Sequence, residues 1–350
     1  MFQNINENTI DGHNYKEEKK EKKKIELFTN VFAIKNIPIY TITLMLSMVG
    51  LTGEISPFSI SILGACISNS VPLLGIVACA IIGNLIKFGI SGALSFILTT
   101  LVLIVTMFLI KPKYNEDDVN EKVNLAKNIF ISTMIIQLAK VGISGFTLYD
   151  VLSIICFSII AIVFYKIFVN SIIVFRDFGE KKAFSIEEIL GASLMLAIAV
   201  CAFGKLSIFG FSIKNILSIL IVLILGWKNG VLVGTTSGVT IGVTLGVITS
   251  SEPVMVAAYA ISGMISGILN KFGKIGVIIG FCLGNIVLAY VANGNTVELI
   301  HFKEILIASI GLLAVPKSVQ INIKEFMGNS KFLPVAPDRA LNKSKETAER

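Results

Sequence analysis

The sequence is poor in the residues from which enzymes build active sites. Only 15% of its 350 residues are charged, and only two are histidines, which stand far apart in the chain. The five cysteines occur singly, without a CxxC pair, which argues against a zinc or redox centre. No P-loop, HExxH or GxSxG motif is present, nor a pair of carboxylates on a shared face. The sequence therefore contains no motif that identifies a catalytic, cofactor-binding or metal-binding residue.

What the sequence does contain is apolar. Hydrophobic residues make up 54% of the chain, and its mean hydropathy of +0.81 excludes both disorder and an ordinary soluble domain. Residues 1–36 and 317–350 together hold 14 of the 30 Lys and Arg and 10 of the 23 acids. We therefore predict a polar tail over 1–36, a membrane domain over 37–316 and a cytoplasmic exit segment over 317–350. The net charge of +7 reflects membrane topology, and no nucleic-acid partner is expected.

Ten apolar runs approach the roughly 20 residues that cross a bilayer core. They are 37–55, 90–110, 124–141, 150–174, 188–204, 213–227, 230–249, 253–270, 275–292 and 303–316. Prolines and glycines cut residues 57–88 into two marginal pieces, which either re-enter the membrane as a hairpin or cross it fully. We predict an all-α polytopic bundle of about ten spans, or twelve if both pieces cross.

The distribution of Lys and Arg among the short connections predicts the topology. Connections that carry Lys or Arg alternate along the chain with connections nearly free of them. The basic class consists of 111–123, 176–187, Lys228, Lys271 with Lys274, and Lys317. By the positive-inside rule, both termini are then cytoplasmic.

Glycines recur every fourth residue in two of the predicted spans, and residues four apart share a helix face. They are Gly230, Gly234, Gly238, Gly242 and Gly246 in the first ladder, and Gly276, Gly280 and Gly284 in the second. Such faces let helix backbones approach closely in lipid. The ladders are interpreted as packing faces within the bundle, as self-association faces between copies, or as part of a substrate path.

Ionisable residues inside spans mark transport pathways because they are costly to keep in lipid. Lys87, Lys140 and Lys166 fall within or near spans, where lysines near a span end can snorkel to the interface. No Asp or Glu occupies the middle of a span. This absence weighs against a proton-coupled or cation-coupled carrier.

Three stretches resemble the membrane region of the stage II sporulation protein E family. They are residues 53–58, which follow the first run, residues 182–190, which enter the mid-chain run, and residues 316–334, which leave the last run. The membrane-exit segment is marked by Pro316, Lys317, Phe326, Gly328 and Pro334. The resemblance covers most of residues 30–335.

The resemblance implies an N-terminal membrane domain of about ten spans. In the family an oligomerisation region and a PPM-type serine/threonine phosphatase follow it, and the protein acts at the asymmetric septum to activate the first forespore sigma factor. No phosphatase residue has a counterpart in this sequence, so we expect no enzymatic activity from it alone. The Mn²⁺ or Mg²⁺ of the family would belong to the phosphatase domain, and no cofactor is expected here.

We therefore predict a domain that anchors, localises and self-associates a sporulation protein. Its expected partners are the bilayer, further copies of itself, and septal proteins such as the tubulin-like division protein. The rival interpretation is a small-solute transporter or channel subunit, which the broken helices of 57–88 and the glycine-rich spans favour. A membrane-embedded enzyme is a third class, for which no residue can be nominated.

Overall fold

A computed structural model describes residues 33, 36–51, 56–110, 118–145, 147–177, 183–204, 206–249, 253–291, 300–316 and 322–323. Within these ranges the secondary structure is helical apart from short strands, so the all-α class predicted from the sequence is confirmed. The helices are α1 (Ile37–Ser47), α2 (Pro57–Ser68), α3 (Leu73–Leu109), α4 (Asp118–Ser144), α5 (Leu148–Arg176), α6 (Ile186–Cys201), α7 (Ile213–Thr249), α8 (Pro253–Ile268), α9 (Gly273–Val291) and α10 (Phe302–Ala314). A 3-10 turn, Leu269–Phe272, joins α8 to α9.

Four two-residue strands form two small pairs at the ends of helices. β1 (Ala183–Phe184) lies parallel to β4 (Asn322–Ile323), so the chain after α10 returns to the start of α6. β2 (Ser207–Ile208) and β3 (Phe211–Ser212) form an antiparallel hairpin just before α7.

Among the described residues, four stretches are long and apolar enough to cross a membrane. They are α3, α5, α7 and the continuous run from Pro253 to Val291 that contains α8 and α9. A straight helix of 37 residues, such as α3 or α7, would measure about 55 Å, well beyond the hydrocarbon thickness of about 30 Å. Three of the four stretches, α3, α7 and the 253–291 run, are interrupted, which brings their segments closer to the shorter spans predicted from the sequence.

A glycine with the same unusual backbone conformation makes each of these three interruptions. Gly89, Gly230 and Gly273 have φ of +69°, +77° and +72°, with ψ of −161°, −160° and −156°. Only glycine adopts this region readily. At Gly230 the chain folds back on itself. A Cβ added to Gly234 would lie 3.2 Å from the Cα of Gly226, although the two residues are eight positions apart.

A sequence signal that was not used above marks each of these interruptions. Each glycine is the third residue of a Lys-x-Gly triplet: 87–89, 228–230 and 271–273. The three glycines divide α3, α7 and the 253–291 run into segments of roughly one bilayer thickness each. The count of ten or twelve spans remains a prediction.

The short helix α2 lies in the interior of the bundle. All of its residues from Pro57 to Cys66 are buried, and the hydroxyl of Ser61 donates to the carbonyl of Ala161 on α5 at 2.8 Å. Gly64 leaves room there for the ring of Tyr165. A helix this short is tolerated at membrane depth when protein surrounds it. The 57–88 segment therefore begins with a buried half-span.

Candidate functional site

Several chain reversals and helix ends meet at one end of the bundle, here called the junction end. It contains the reversals at Gly230 and Gly273, the end of α10, and the β1–β4 pair. The last described helix leaves the bundle at this end. Contacts that hold α10 here determine how the membrane domain connects to whatever follows it.

Lys274 holds the end of α10. Its Nζ donates to the carbonyl of Leu313 at 2.9 Å and also to the carbonyl of Val315. The last carbonyls of a helix have no partner within the helix, and a cation there also interacts favourably with the helix dipole. Because Lys274 directly follows the Gly273 reversal, the position of α10 depends on that turn.

The single tryptophan of the chain lies beside the same lysine. The Nζ of Lys274 is 5.0 Å from the ring centroid of Trp227, and the Nζ of Lys228 is 4.0 Å from it. Cation–π contacts of this kind contribute about 0.5–1 kcal/mol at exposed sites. Trp227 therefore links the Gly230 reversal to the lysine that holds α10.

The β1–β4 pair gives the exiting chain a second attachment. Ala183 is aligned with Asn322 and Phe184 with Ile323. Phe184 is only 2% exposed and belongs to a small buried cluster with Val174, Ile189, Ala192, Leu225 and Val233. This cluster joins α5, α6 and both halves of α7, so it anchors β1 firmly.

The helix that follows β1 begins with a reciprocal cap. The Ser185 hydroxyl accepts from the backbone N–H of Glu188 at 3.1 Å, and the Glu188 carboxylate accepts from the backbone N–H of Ser185 at 2.8 Å. This capping box fixes the entry of α6. Glu188 thus lies in the first turn of α6, where a carboxylate suits the helix dipole.

The other end of the bundle exposes several aromatic side chains. Tyr149 begins α5, Phe209 forms the tip of the β2–β3 hairpin, and Tyr290 ends α9; their exposures are 74%, 96% and 86%. Aromatic side chains are typical of membrane–water interfaces. Phe272, in the turn before Gly273, is 75% exposed, so both ends carry aromatic side chains suited to an interface.

Comparison with known proteins places this architecture. The family described as "SpoIIE, N-terminal domain" matches residues 2–324. The chain belongs to the SpoIIE N-terminal domain family. It is also 24% identical, over 182 residues, to stage II sporulation protein E of Bacillus subtilis strain 168. That match covers 52% of this chain and 22% of the relative, so the chain spans about a fifth of that protein. No solved structure matches.

Two stretches that carry the resemblance to the SpoIIE family come together in space. Residues 182–190 contain β1 and the α6 cap, and residues 316–334 contain β4, so the two stretches pair directly. Of the predicted exit residues, Pro316 is described and exposed. Lys317, Phe326, Gly328 and Pro334 lie outside the described residues.

The first glycine ladder packs against α8 within the same chain. A Cβ at Gly234 would lie 2.6 Å from the carbonyl oxygen of Gly263, and one at Gly242 would lie 2.7 Å from the Cα of Val256. Gly238 approaches the carbonyl of Tyr259 just as closely. Gly230 forms the reversal that precedes the ladder and also approaches α8, because a Cβ at Gly267 would lie 2.7 Å from the carbonyl oxygen of Gly230.

The second ladder packs against the opposite side of the same helix and the turn after it. A Cβ at Gly280 would lie 2.7 Å from the carbonyl oxygen of Ile265, and one at Gly284 would lie 2.5 Å from the Cα of Ser262. Gly276 faces the carbonyl of Leu269. α8 is therefore held between two glycine faces, and both faces are occupied inside the chain.

The structure also reveals a buried carboxylate that the sequence reasoning missed. Glu304, in the first turn of α10, is 5% exposed. It accepts from the backbone N–H of Ser212 at 3.2 Å and from the Nδ2 of Asn215 at 2.9 Å, which ties α10 to the start of α7. The sequence places it at the edge of a span, where an acid attracts no notice.

Unpaired hydroxyls lie beside this carboxylate. Tyr259 and Ser218 are fully buried near each other, and Tyr259 lies close enough to Glu304 to interact with it electrostatically. Neither hydroxyl reaches hydrogen-bond geometry with a described group. Ser262 and Ser266, on the same face of α8 as Tyr259, are buried and unpaired as well. Buried hydroxyls elsewhere, such as that of Ser309, instead bond the carbonyl one turn earlier. This polar cluster is a second candidate site.

The polar cluster does not have the composition of a metal centre. Across the described part of the chain, no three His, Cys, Asp or Glu side chains come together in a group that could hold a metal ion. A cluster with one carboxylate and several hydroxyls is suited to water, to a monovalent cation or to a neutral polar solute.

Proposed function

We propose that this chain anchors a SpoIIE-like sporulation protein in the membrane and couples the packing of its helices to the segment that follows Pro316. The observation that carries the proposal is the pair of bonds from Lys274 to the end of α10. The β1–β4 pair supports it, because it holds the chain beyond α10 against the start of α6. The exiting segment thus leaves the bundle at a defined position.

We also propose that the junction end faces the cytoplasm. The reversals there carry Lys228, Lys271 and Lys274, which is the bias expected of cytoplasmic connections. At the other end, the 206–212 connection carries no Lys or Arg, as expected of an outer connection. In this orientation, both termini lie inside the cell.

The family resemblance also suggests where in the cell the domain acts and with which partners. The domain would gather at the asymmetric division septum, associate with further copies and with the tubulin-like division protein, and contribute to activating the first forespore sigma factor. Self-association would use a face other than the glycine ladders, since both ladders contact α8 within the chain.

The test compares two lysines of the same reversal. Lys274→Gln removes the cation that holds α10, whereas Lys271→Gln changes an exposed neighbour. Each full-length variant is expressed as a fluorescent fusion in a sporulating bacterium that lacks its own copy. We expect equal membrane levels for all, reduced septal enrichment for Lys274→Gln, and normal enrichment for Lys271→Gln.

Two outcomes would contradict this proposal separately. Uniform membrane fluorescence of the unchanged chain throughout sporulation would remove the septal role. Normal septal enrichment of Lys274→Gln would remove the coupling through α10, while leaving simple anchoring in place.

A second candidate function is a small-solute transporter or channel subunit, favoured by the polar cluster around Glu304. Unpaired hydroxyls at Ser218, Tyr259, Ser262 and Ser266 are costly in a bilayer-embedded bundle, and such residues often mark a path for water or ions. This function predicts uptake of a monovalent cation or a small polar solute into proteoliposomes. Tyr259→Phe should then reduce uptake, whereas Ser309→Ala should not. No uptake from a broad panel would eliminate this function.

A further inference from the structure

An apolar groove with two lysines at its edges lies on the lipid-facing side of α4 and α5. It has a volume of about 500 Å³ and is lined by Ala126, Lys127, Phe130, Ile131, Ile162 and Lys166. The Tyr165 hydroxyl donates to the carbonyl of Lys122 at 3.2 Å and sets the register of the two helices. That register brings Lys127 of α4 and Lys166 of α5 to the same groove.

Both lysines are exposed on a surface that the bilayer would cover. Lys166 lies ten residues before the end of α5 at Arg176, a distance of about 15 Å along a helix. Among the described residues, no ion pair connects Lys127 or Lys166 to a carboxylate. Glu187 lines the adjoining groove with Lys166, but the two side chains form no ion pair.

The groove combines a cationic edge with an apolar floor. Phe130, Ile131 and Ile162 offer a surface for a hydrocarbon chain, and the lysines offer hydrogen-bond donors to a phosphate. Basic pockets between membrane helices on the cytoplasmic side are suited to anionic lipid head groups. A neutral head group would leave both lysine charges unmatched.

We propose that Lys127 and Lys166 bind the phosphate of an anionic phospholipid, with one of its acyl chains in the groove between α4 and α5. The site lies toward the junction end, because α5 ends there at Arg176 and the start of α4 lies beside Tyr165. Bound lipid would hold α4 against α5 and favour membrane regions rich in anionic lipid. The lipid site does not depend on the proposed septal function.

The test uses the full-length chain purified in a neutral detergent. Phosphatidylglycerol or phosphatidylcholine is titrated in, and bound lipid is counted by native mass spectrometry. We expect one molecule of phosphatidylglycerol to bind preferentially, and we expect no phosphatidylcholine to bind with comparable affinity. Replacing both lysines, as Lys127→Gln with Lys166→Gln, should weaken binding about thirtyfold, since each basic side chain near an anionic lipid contributes about 1 kcal/mol. Lys271→Gln, at an exposed turn without a groove, should bind like the unchanged chain.

A groove-filling variant and a phosphate control complete the design. Ile131→Trp should fill the apolar floor and reduce binding although both lysines remain, and circular dichroism would verify that each variant is folded. Equal affinity for the two lipids would overturn the proposal, as would equal losses in Lys271→Gln and the double variant. Inorganic phosphate that competes fully at matched concentration would identify free phosphate as the ligand and overturn the lipid assignment.

Discussion

Gly238 provides the sharpest test of how the first glycine ladder is used. A Cβ at this position would lie 2.9 Å from the carbonyl carbon of Tyr259 and 3.2 Å from the Cα of Ala260, with the Tyr259 oxygen closer still. These atoms belong to the backbone of α8, which cannot rotate aside as a side-chain end does. Gly238→Ala therefore forces α7 and α8 apart.

Gly246 is the matched control, two turns further along the same ladder. A Cβ there would lie 3.7 Å from the Cγ2 of Val256, which is ordinary contact. Alanine is favoured over glycine in a helix interior by about 0.8–1.0 kcal/mol. We expect Gly246→Ala to leave the free energy of unfolding unchanged or to raise it by up to about 1 kcal/mol. Gly238→Ala receives the same gain but loses about 1–3 kcal/mol to overpacking.

The two variants should thus differ by about 1–3 kcal/mol, which corresponds to a gap in thermal midpoint on the order of 2–10 °C. Thermal unfolding of the purified full-length chains in detergent measures this gap. Repeating the melts over a tenfold dilution separates contacts within the chain from contacts between copies, since only the latter depend on concentration. Equal midpoints for Gly238→Ala and Gly246→Ala would refute the packing argument, and a gap that vanishes on dilution would place the ladder between copies.

Three further predictions concern the backbone at Gly89, the β1–β4 pair and the orientation of the bundle. Gly89→Ala should lower the free energy of unfolding by about 1–3 kcal/mol through backbone strain alone, because a Cβ there meets no atom within 4 Å. Gly142→Ala, also in open space but without a positive φ, should not lower it, and chemical denaturation compares the two variants. Phe184→Ala should lower the free energy of unfolding by about 3–5 kcal/mol and should speed protease cleavage after α10. An unchanged cleavage rate would contradict the role of β1 in holding the chain after α10. A cysteine at Phe209 should react with an impermeant maleimide on intact cells and one at Pro316 should not, with the opposite pattern refuting the orientation.

Periodicity in the sequence predicted much of the architecture because lipid imposes simple rules on length and polarity. The apolar runs near 213–227, 230–249 and 253–270 correspond to helical segments between glycine reversals. The spacing of the ladders predicted close backbone packing, which α7 and α9 make. Spacing could not identify the helix that fills each face, because a glycine groove accepts a neighbour of the same chain or of another copy equally well.

Other features depended on residues distant in sequence. In the sequence, Lys274 is indistinguishable from other basic residues of short connections. Only the fold brings it to the carbonyls of Leu313 and Val315. The polar partners of Glu304 lie about ninety residues away. Gly230 has the spacing of a ladder residue, yet its positive φ makes it the reversal.

The amino-acid sequence by itself determined that the chain is an all-α membrane domain of the SpoIIE family, because hydropathy, charge bias and motif order are local properties of the chain. Tertiary structure alone decided that α8 occupies both glycine faces, that one lysine holds the exit helix, and that a carboxylate lies among unpaired hydroxyls. These features arise from pairs of side chains and backbones far apart in the chain. Their proximity is set by how the helices reverse and pack, which no single stretch encodes.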